Sequence, residues 1–269
     1  MRSARVLAAL LSLSLAAPAL GQEQPQLTPL SYDWTVDGIV TGATAAAVVT
    51  LQLMKNQLAP LECKWCTPGS IDGDLARSLA WSNPKTANTI SDVMQFLLPI
   101  GAIGYGVLQG YRLGDPTAGW SSALLITEAT SIALLANVIV KYAVGRARPY
   151  VWMGQPGLYG DPRDENLSFF SGHTTLAFAV AVSAGTLFLM QGMPGAGWVL
   201  GGGLALAAFT GYLRMGAEQH YLTDVLTGAA VGSLVGWAVP YLFHRPRKPG
   251  EAPQPGALIP SPGGIAIAW

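Results

Sequence analysis

Charge is what this 269-residue chain has least of. Asp, Glu, Lys and Arg together make up 11%, against about a quarter of an ordinary soluble domain. The 15 basic and 15 acidic residues cancel, so there is no general positive field and an ordinary nucleic-acid partner is excluded. Disordered chains and coiled coils carry far more charge, which excludes both. Cysteine is nearly absent as well. The two present stand in Cys63-Lys64-Trp65-Cys66, and a zinc site would need a second pair of ligands that the chain lacks. A thioredoxin-like role would need a strand–helix–strand setting, which is missing. The spacing leaves a local disulfide in an exported loop, the preferred reading, or two free thiols. No segment alternates strictly in the manner of a strand, and no internal repeat is visible.

Apolar residues are plentiful: hydrophobic types make up 51%, with 32 glycines besides. This composition points to a membrane protein or an unusually apolar helical domain. Arg2 and Arg5 precede an apolar run from Val6 to Leu20, and Ala19-Leu20-Gly21 offers small residues for cleavage, so residues 1–21 read as a secretory signal. The alternative is an uncleaved anchor. An N-terminal segment, 22–92, follows: a polar lead-in, then Ile39–Met54, then a polar stretch with turn signals that holds the cysteines. Ile39–Met54 is short for a span and carries Asp37 at its start, which favours a buried or interfacial helix. Five better apolar segments form a core over 93–243: Val93–Tyr111, Ser121–Val140, Thr174–Gly192, Gly197–Tyr212 and Val225–Phe243. Each approaches the ~20 residues that cross a bilayer. The fold class expected is all-α, a multi-helix membrane bundle of five to six apolar helices. The Pro- and Gly-rich tail, 244–269, is read as disordered, though it ends on apolar Ile265–Trp269. Arg245, Arg247 and Lys248 mark its start as cytoplasmic, which puts the 141–173 and 213–224 loops on the periplasmic face.

Three clusters place polar groups at the ends of these helices. In the first, Lys141 and Arg148-Pro149 follow an apolar helix. Arg148 is a planar fork suited to phosphate oxygens, and Lys141 is a point charge; simple anchoring or snorkelling is the plainer reading. The second, Ser171-Gly172-His173-Thr174, precedes a helix. A helix start offers unpaired N–H groups to an anion, Ser171 adds a hydroxyl, Gly172 permits close approach, and His173 supplies a proton. Ser171 and Thr174 are also N-cap candidates. In the third, Arg214 leads to His220 and Asp224, which share one face if that stretch is helical. Asp224 would then accept from one ring nitrogen of His220 and leave the other free as a nucleophile. Glu128 lies inside an apolar segment and should face protein, with a structural role preferred and a basic partner expected near the site.

Lys141…Arg148-Pro149, Phe170-Ser171-Gly172-His173 and Leu213-Arg214…His220…Asp224, in that order, resemble the three motifs of the type-2 phosphatidic acid phosphatase superfamily. The resemblance spans about residues 90–243. Phe170 and Leu213 stand where that family usually has Pro and Ser, while every charged or titrating position is kept. The resemblance implies metal-independent hydrolysis of a lipid phosphate in two steps, with no cofactor and no metal ligand set. His220 would attack phosphorus and Asp224 would orient it. His173 would protonate the leaving alcohol and then activate water. Lys141, Arg148, Arg214, Ser171 and the Gly172 N–H would hold the phosphoryl oxygens; Arg146 is extra to the motif. The expected partners are the membrane and a lipid substrate such as phosphatidate, phosphatidylglycerol phosphate or an isoprenyl diphosphate, at a periplasm-facing site. A soluble exported acid phosphatase, a vanadate-dependent haloperoxidase and a membrane scaffold with a relic site are the alternatives.

Overall fold

The computed structural model describes residues 26–247, 258–261 and 264–267; the expected leader, 1–21, lies outside the described residues. The helices run α1 (Trp34–Leu53), the single turn α2 (Lys55–Leu58), α3 (Ser70–Leu79), α4 (Pro84–Arg112), α5 (Pro116–Val144), the short α6 (Pro149–Trp152), α7 (Gly172–Gln191), α8 (Ala196–Gly216) and α9 (Leu222–Phe243). Six of them, α1, α4, α5, α7, α8 and α9, are long and apolar enough to cross a membrane.

Their ends follow from local chemistry. Asn83 and Asp115 cap α4 and α5 by accepting from the N–H groups of Thr86 and Ala118, and Pro84 and Pro116 take the first helical position, where a missing N–H costs nothing. Gly145 stops α5 at φ 59°, a left-handed conformation that glycine adopts without penalty. α4 begins nine residues before the apolar segment at Val93, because its first turns are polar and carry no hydropathy signal.

Two expectations are corrected. α1 is 20 residues long, not a short stretch starting at Ile39, and it is largely exposed on the outside of the bundle rather than buried. Asp37 sits in its first turn, buried and accepting from the Asp33 N–H at 2.8 Å, so the acid is absorbed by protein at the helix start and does not shorten the apolar face. The tail holds structure where disorder was expected: β1 (Leu258–Ser261) pairs antiparallel with β2 (Gly264–Ile267). The sequence between them is Pro262-Gly263, a turn-forming pair.

α7 is the central helix, packed against α9, α8, α5 and α4. Its contact with α9 runs along Gly228, Gly232 and Gly236. A Cβ on Gly228 would lie 2.7 Å from the Ser171 carbonyl oxygen, and one on Gly236 2.7 Å from that of Ala179. Small residues every fourth position let two backbones meet, the usual way helices associate without a hydrophobic driving force. Leu125, Ile126, Val180, Leu187 and Phe188 fill the core on the other side of α7. Ile100, Phe96, Leu234 and Trp198 point outward, as a lipid-facing surface requires. Six antiparallel crossings place the 54–83, 145–171 and 217–221 connections at one end. At the other end residues 27–31 meet 245–247, with Leu30 bridged to Pro246.

Candidate active site

The tight α7–α9 seam brings the second and third motifs together. Ser171 caps α7, its side chain accepting from Thr174 N–H, and its own N–H donates to the Asp224 carbonyl at 3.1 Å. Gly172 opens the helix. A Cβ there would stand 3.0 Å from Asn137 Oδ1 and 3.8 Å from Lys141 Nζ, so only glycine lets α7 start this close to α5. Asn137 also fixes the entry by donating to the Phe170 carbonyl at 2.7 Å.

Between α8 and α9 the chain turns sharply through Glu218, at φ 56°, and delivers His220 into the interior. His220 Nε2 lies 3.4 Å from Arg148 Nη1. Nδ1 lies 3.7 Å from Asp224 Oδ2 and has no hydrogen-bond partner among the described residues. The expected His220–Asp224 hydrogen bond is therefore a close contact. α9 starts at Leu222, so His220 precedes the helix and the one-face argument does not apply to it. Burial, followed by the positive charges of Arg148, Lys141 and Arg214, holds the His220 imidazole well below its usual pKa and keeps it neutral, as a nucleophile must be.

Asp224 is instead clamped. It accepts from Arg146 at 2.5 Å, from Ser168 Oγ at 2.5 Å and from the Tyr221 N–H at 3.0 Å. Arg146, 1% exposed, also binds Asp72 of α3 at 2.7 Å. Its guanidinium is sandwiched 3.9 Å from the Trp65 ring and 4.2 Å from the Tyr221 ring. It is a positioning residue, held by two carboxylates and two rings, with its buried Nε alone left without a hydrogen-bond partner. Hydrogen bonds from Thr223 and Arg146 outweigh burial and hold the Asp72 carboxyl below its usual range.

The other cations reach the site from different elements. Arg148 donates to the Asp164 carboxylate and carbonyl, both at 2.7 Å, and to the Gln219 carbonyl at 3.0 Å. Burial would raise the Asp164 pKa, but Arg148, Lys141 and Lys55 together hold it low. Arg214, at the end of α8, donates to Asn88 Oδ1 at 2.7 Å and Ser91 Oγ at 3.0 Å, leaving its buried Nε without a partner. His173 Nε2 is 2.9 Å from Asp92 Oδ1, a carboxylate that orients the ring as Asp224 was expected to orient His220.

The structure thus gathers His220, His173, Asp224, Lys141, Arg148, Arg214, Ser171 and Gly172 at one end of the bundle. Sequence reasoning missed Asp92, Asp164, Asp72 and Asn88: three isolated acids and an amide, outside any motif and visible only once folding sets them beside a cation. Cys63 and Cys66 are disulfide-bonded at the same end, where the Ala147 N–H donates to the Trp65 carbonyl at 3.0 Å. Among the described residues Glu128 has no basic partner near the site; it pairs with His244, at the opposite end. Of the two departures from the motif, Leu213 is buried with Ala87 and Ala217, and Phe170 packs edge-on against Phe169.

Two histidines and three cations thus converge at the ends of helices long and apolar enough to cross a membrane. Residues 122–248, which hold all three motifs from Lys141 to Asp224, match the model of the PAP2 superfamily. Over 211 residues the chain is 30% identical to the lipid A 1-phosphatase of Porphyromonas gingivalis, covering 75% of this chain and 43% of that protein; the chain spans less than half the length of this curated relative. Its fold is similar to the crystal structure of a transmembrane PAP2-type phosphatidylglycerolphosphate phosphatase from Bacillus subtilis, with a TM-score of 0.50 and 19% identity over 79% of this chain and 96% of that one. With its six apolar helices, the chain is an integral membrane protein.

Proposed function

We propose that the protein hydrolyses a phosphate monoester or diphosphate on a membrane lipid, independently of metal at the reacting phosphorus, through a phosphohistidine. The observation that carries this reading is the placement of neutral His220 beside Arg148, with His173 held by Asp92 at the start of α7. Nε2 of His220 attacks phosphorus, and the ring turns to give its Nδ1 proton to Asp224 across the 3.7 Å gap. Catalytic hydrogen bonds are commonly long until substrate binds. His173 gives a proton to the leaving oxygen; in the second step it takes one from the water that breaks the P–N bond. Lys141, Arg148, Arg214 and the Gly172 N–H neutralise the charge that builds on the phosphoryl oxygens.

A lipid substrate suits a site at the ends of helices long and apolar enough to cross a membrane. An open pocket of about 460 Å³ adjoins Arg214 through Asn88 and is lined by Lys85, Thr89 and the 157–160 segment, which gives room for a polar headgroup. Phosphatidate, phosphatidylglycerol phosphate and isoprenyl diphosphates belong to this class, and the relative's name adds lipid A. We place the site on the oxidising, periplasmic face, because the disulfide shares its end while Arg245 and Arg247 stand at the other. A cleaved leader that delivers residue 22 to that same face would require α1 not to cross, so the leader and this topology compete. Reporter fusions at 26–33 and 113–115 decide between them.

The test of the activity is phosphate release by detergent-purified protein from a panel of these lipids and soluble phosphoesters, with His220→Ala alongside. Wild type releases phosphate from a lipid, and the variant, folded and at equal level, loses at least about 1,000-fold. Undiminished release by the variant overturns the mechanism; release only from soluble esters overturns the substrate class.

A further inference from the structure

At the end of the bundle away from the phosphate site, three buried ligand-type side chains from three membrane-spanning elements face one another. Asp37 comes from α1, Glu128 from α5 and His244 from the residue that ends α9. They are 7%, 6% and 3% exposed, and one donor atom from each lies within 4.8 Å of the others. His244 Nε2 is 3.7 Å from Glu128 Oε2, and Nδ1 is 4.0 Å from Asp37 Oδ2. Both Glu128 Oε2 and His244 Nε2 are buried without a hydrogen-bond partner among the described residues. The tautomer of His244 follows from its other contact. Nδ1 is 3.1 Å from the Ser31 carbonyl oxygen, which can only accept, so the proton sits on Nδ1 and the Nε2 lone pair points at Glu128. A ring N–H given to a backbone carbonyl, with the other nitrogen free, is how metal-bound histidines are held.

We infer that Asp37, Glu128 and His244 form a binding site for a divalent first-row transition ion, of the Zn²⁺ class. Two carboxylates outnumber the one imidazole in an apolar interior, where unpaired charge is costly; a divalent ion cancels it. One nitrogen and two oxygens suit zinc or manganese better than the all-oxygen ions. Two zinc ligands at about 2.0 Å in a tetrahedron stand about 3.3 Å apart, so the 3.7 Å separation needs only a small inward movement of the Glu128 and His244 side chains. Thr41, one turn along α1 from Asp37, has a buried hydroxyl without a partner and lies on the same helical face. Along α5 this site is about 20 Å from Lys141, thirteen residues at 1.5 Å each, so the ion touches no reacting atom. It ties α1 and the end of α9 to α5.

The experiment uses full-length protein in detergent. Metal content is measured after purification and after EDTA treatment, followed by melting with added Zn²⁺, Mn²⁺ or Mg²⁺. The expected result is one Zn²⁺ per chain, lost with EDTA together with several degrees of Tm and restored by Zn²⁺ but not Mg²⁺. Glu128→Gln and Asp37→Asn abolish both the bound zinc and the shift, whereas His220→Ala keeps both. No retained metal and no Zn²⁺-dependent shift in wild type overturns the proposal; so does an equal shift in Glu128→Gln, and both results would leave a proton-shared carboxylate–histidine cluster. If either acidic variant fails to fold, wild-type stoichiometry and melting decide alone. Metal content and melting are read without phosphate release, so this proposal and the phosphatase reading fail separately.

Discussion

Replacing Arg146 by Met removes a charge without leaving a hole, and its cost can be worked from the contacts. Arg146 is the sole cation within salt-bridge distance of Asp224 among the described residues, and Asp224 has no exposed surface. Breaking a buried pair from one side costs about 3–5 kcal/mol, because the remaining charge is stranded. The two ring contacts add about 1 kcal/mol or more. For a chain of this size each kcal/mol moves Tm by about 2–4 °C, so Arg146→Met should melt about 10 °C below wild type in detergent. Asp72 is stranded by the same change. Asp72→Asn in the Arg146→Met background should therefore recover part of the loss, whereas alone in wild type it destabilises. Phosphate release should fall with Arg146→Met, since the clamp on Asp224 is gone. A melting temperature within a degree or two of wild type would refute the claim that Arg146 holds the Asp224 charge, as would a double variant no more stable than the single one.

Three further outcomes follow from the same geometry. His220 has its pKa depressed, so the unfolded chain binds a proton below about pH 6.5 that the folded site refuses, and stability is lost as pH is lowered there, by about 1.4 kcal/mol per unit while the folded ring stays neutral. Melting between pH 8 and 5 should show this slope in wild type and a shallower one in His220→Gln; equal slopes would contradict it. Asp92→Asn weakens the orientation of His173, so kcat should drop about 10–100-fold with KM little changed, and a loss confined to KM would assign Asp92 to binding instead. Gly232→Val puts side-chain atoms into the Thr175 carbonyl and should separate α9 from α7, lowering both Tm and activity; a fully active variant with wild-type melting would show that the seam does not set the site.

The motif residues were legible because each cluster is local: Lys141 and Arg148, or Ser171, Gly172 and His173, lie within a few residues of an apolar helix end. The apolar segments likewise announced the helices, since hydropathy reports the lipid-facing part of each. It was silent on the polar first turns of α4, and with them on Asn88, Ser91 and Asp92, which those turns carry. Asp164 and Asp72 resemble any loop or surface acid until Arg148 and Arg146 are set against them. The His220–Asp224 spacing suggested a helical pair, but Tyr221 is extended, at φ −77° and ψ 166°, and this offset alone separates a contact from a hydrogen bond. Asp37 and Glu128 read as blemishes in apolar segments because their companion, His244, lies more than a hundred residues further on.

The clasp between residues 27–31 and 245–247 has a consequence for how such a chain can be built upon. With an even number of crossings, both flanks emerge on one side of the bilayer, and the histidine–arginine cluster lies at the other. A domain fused to either flank is thus kept from that cluster, and additions meant to meet it must be spliced into the 54–83 or 145–171 connections.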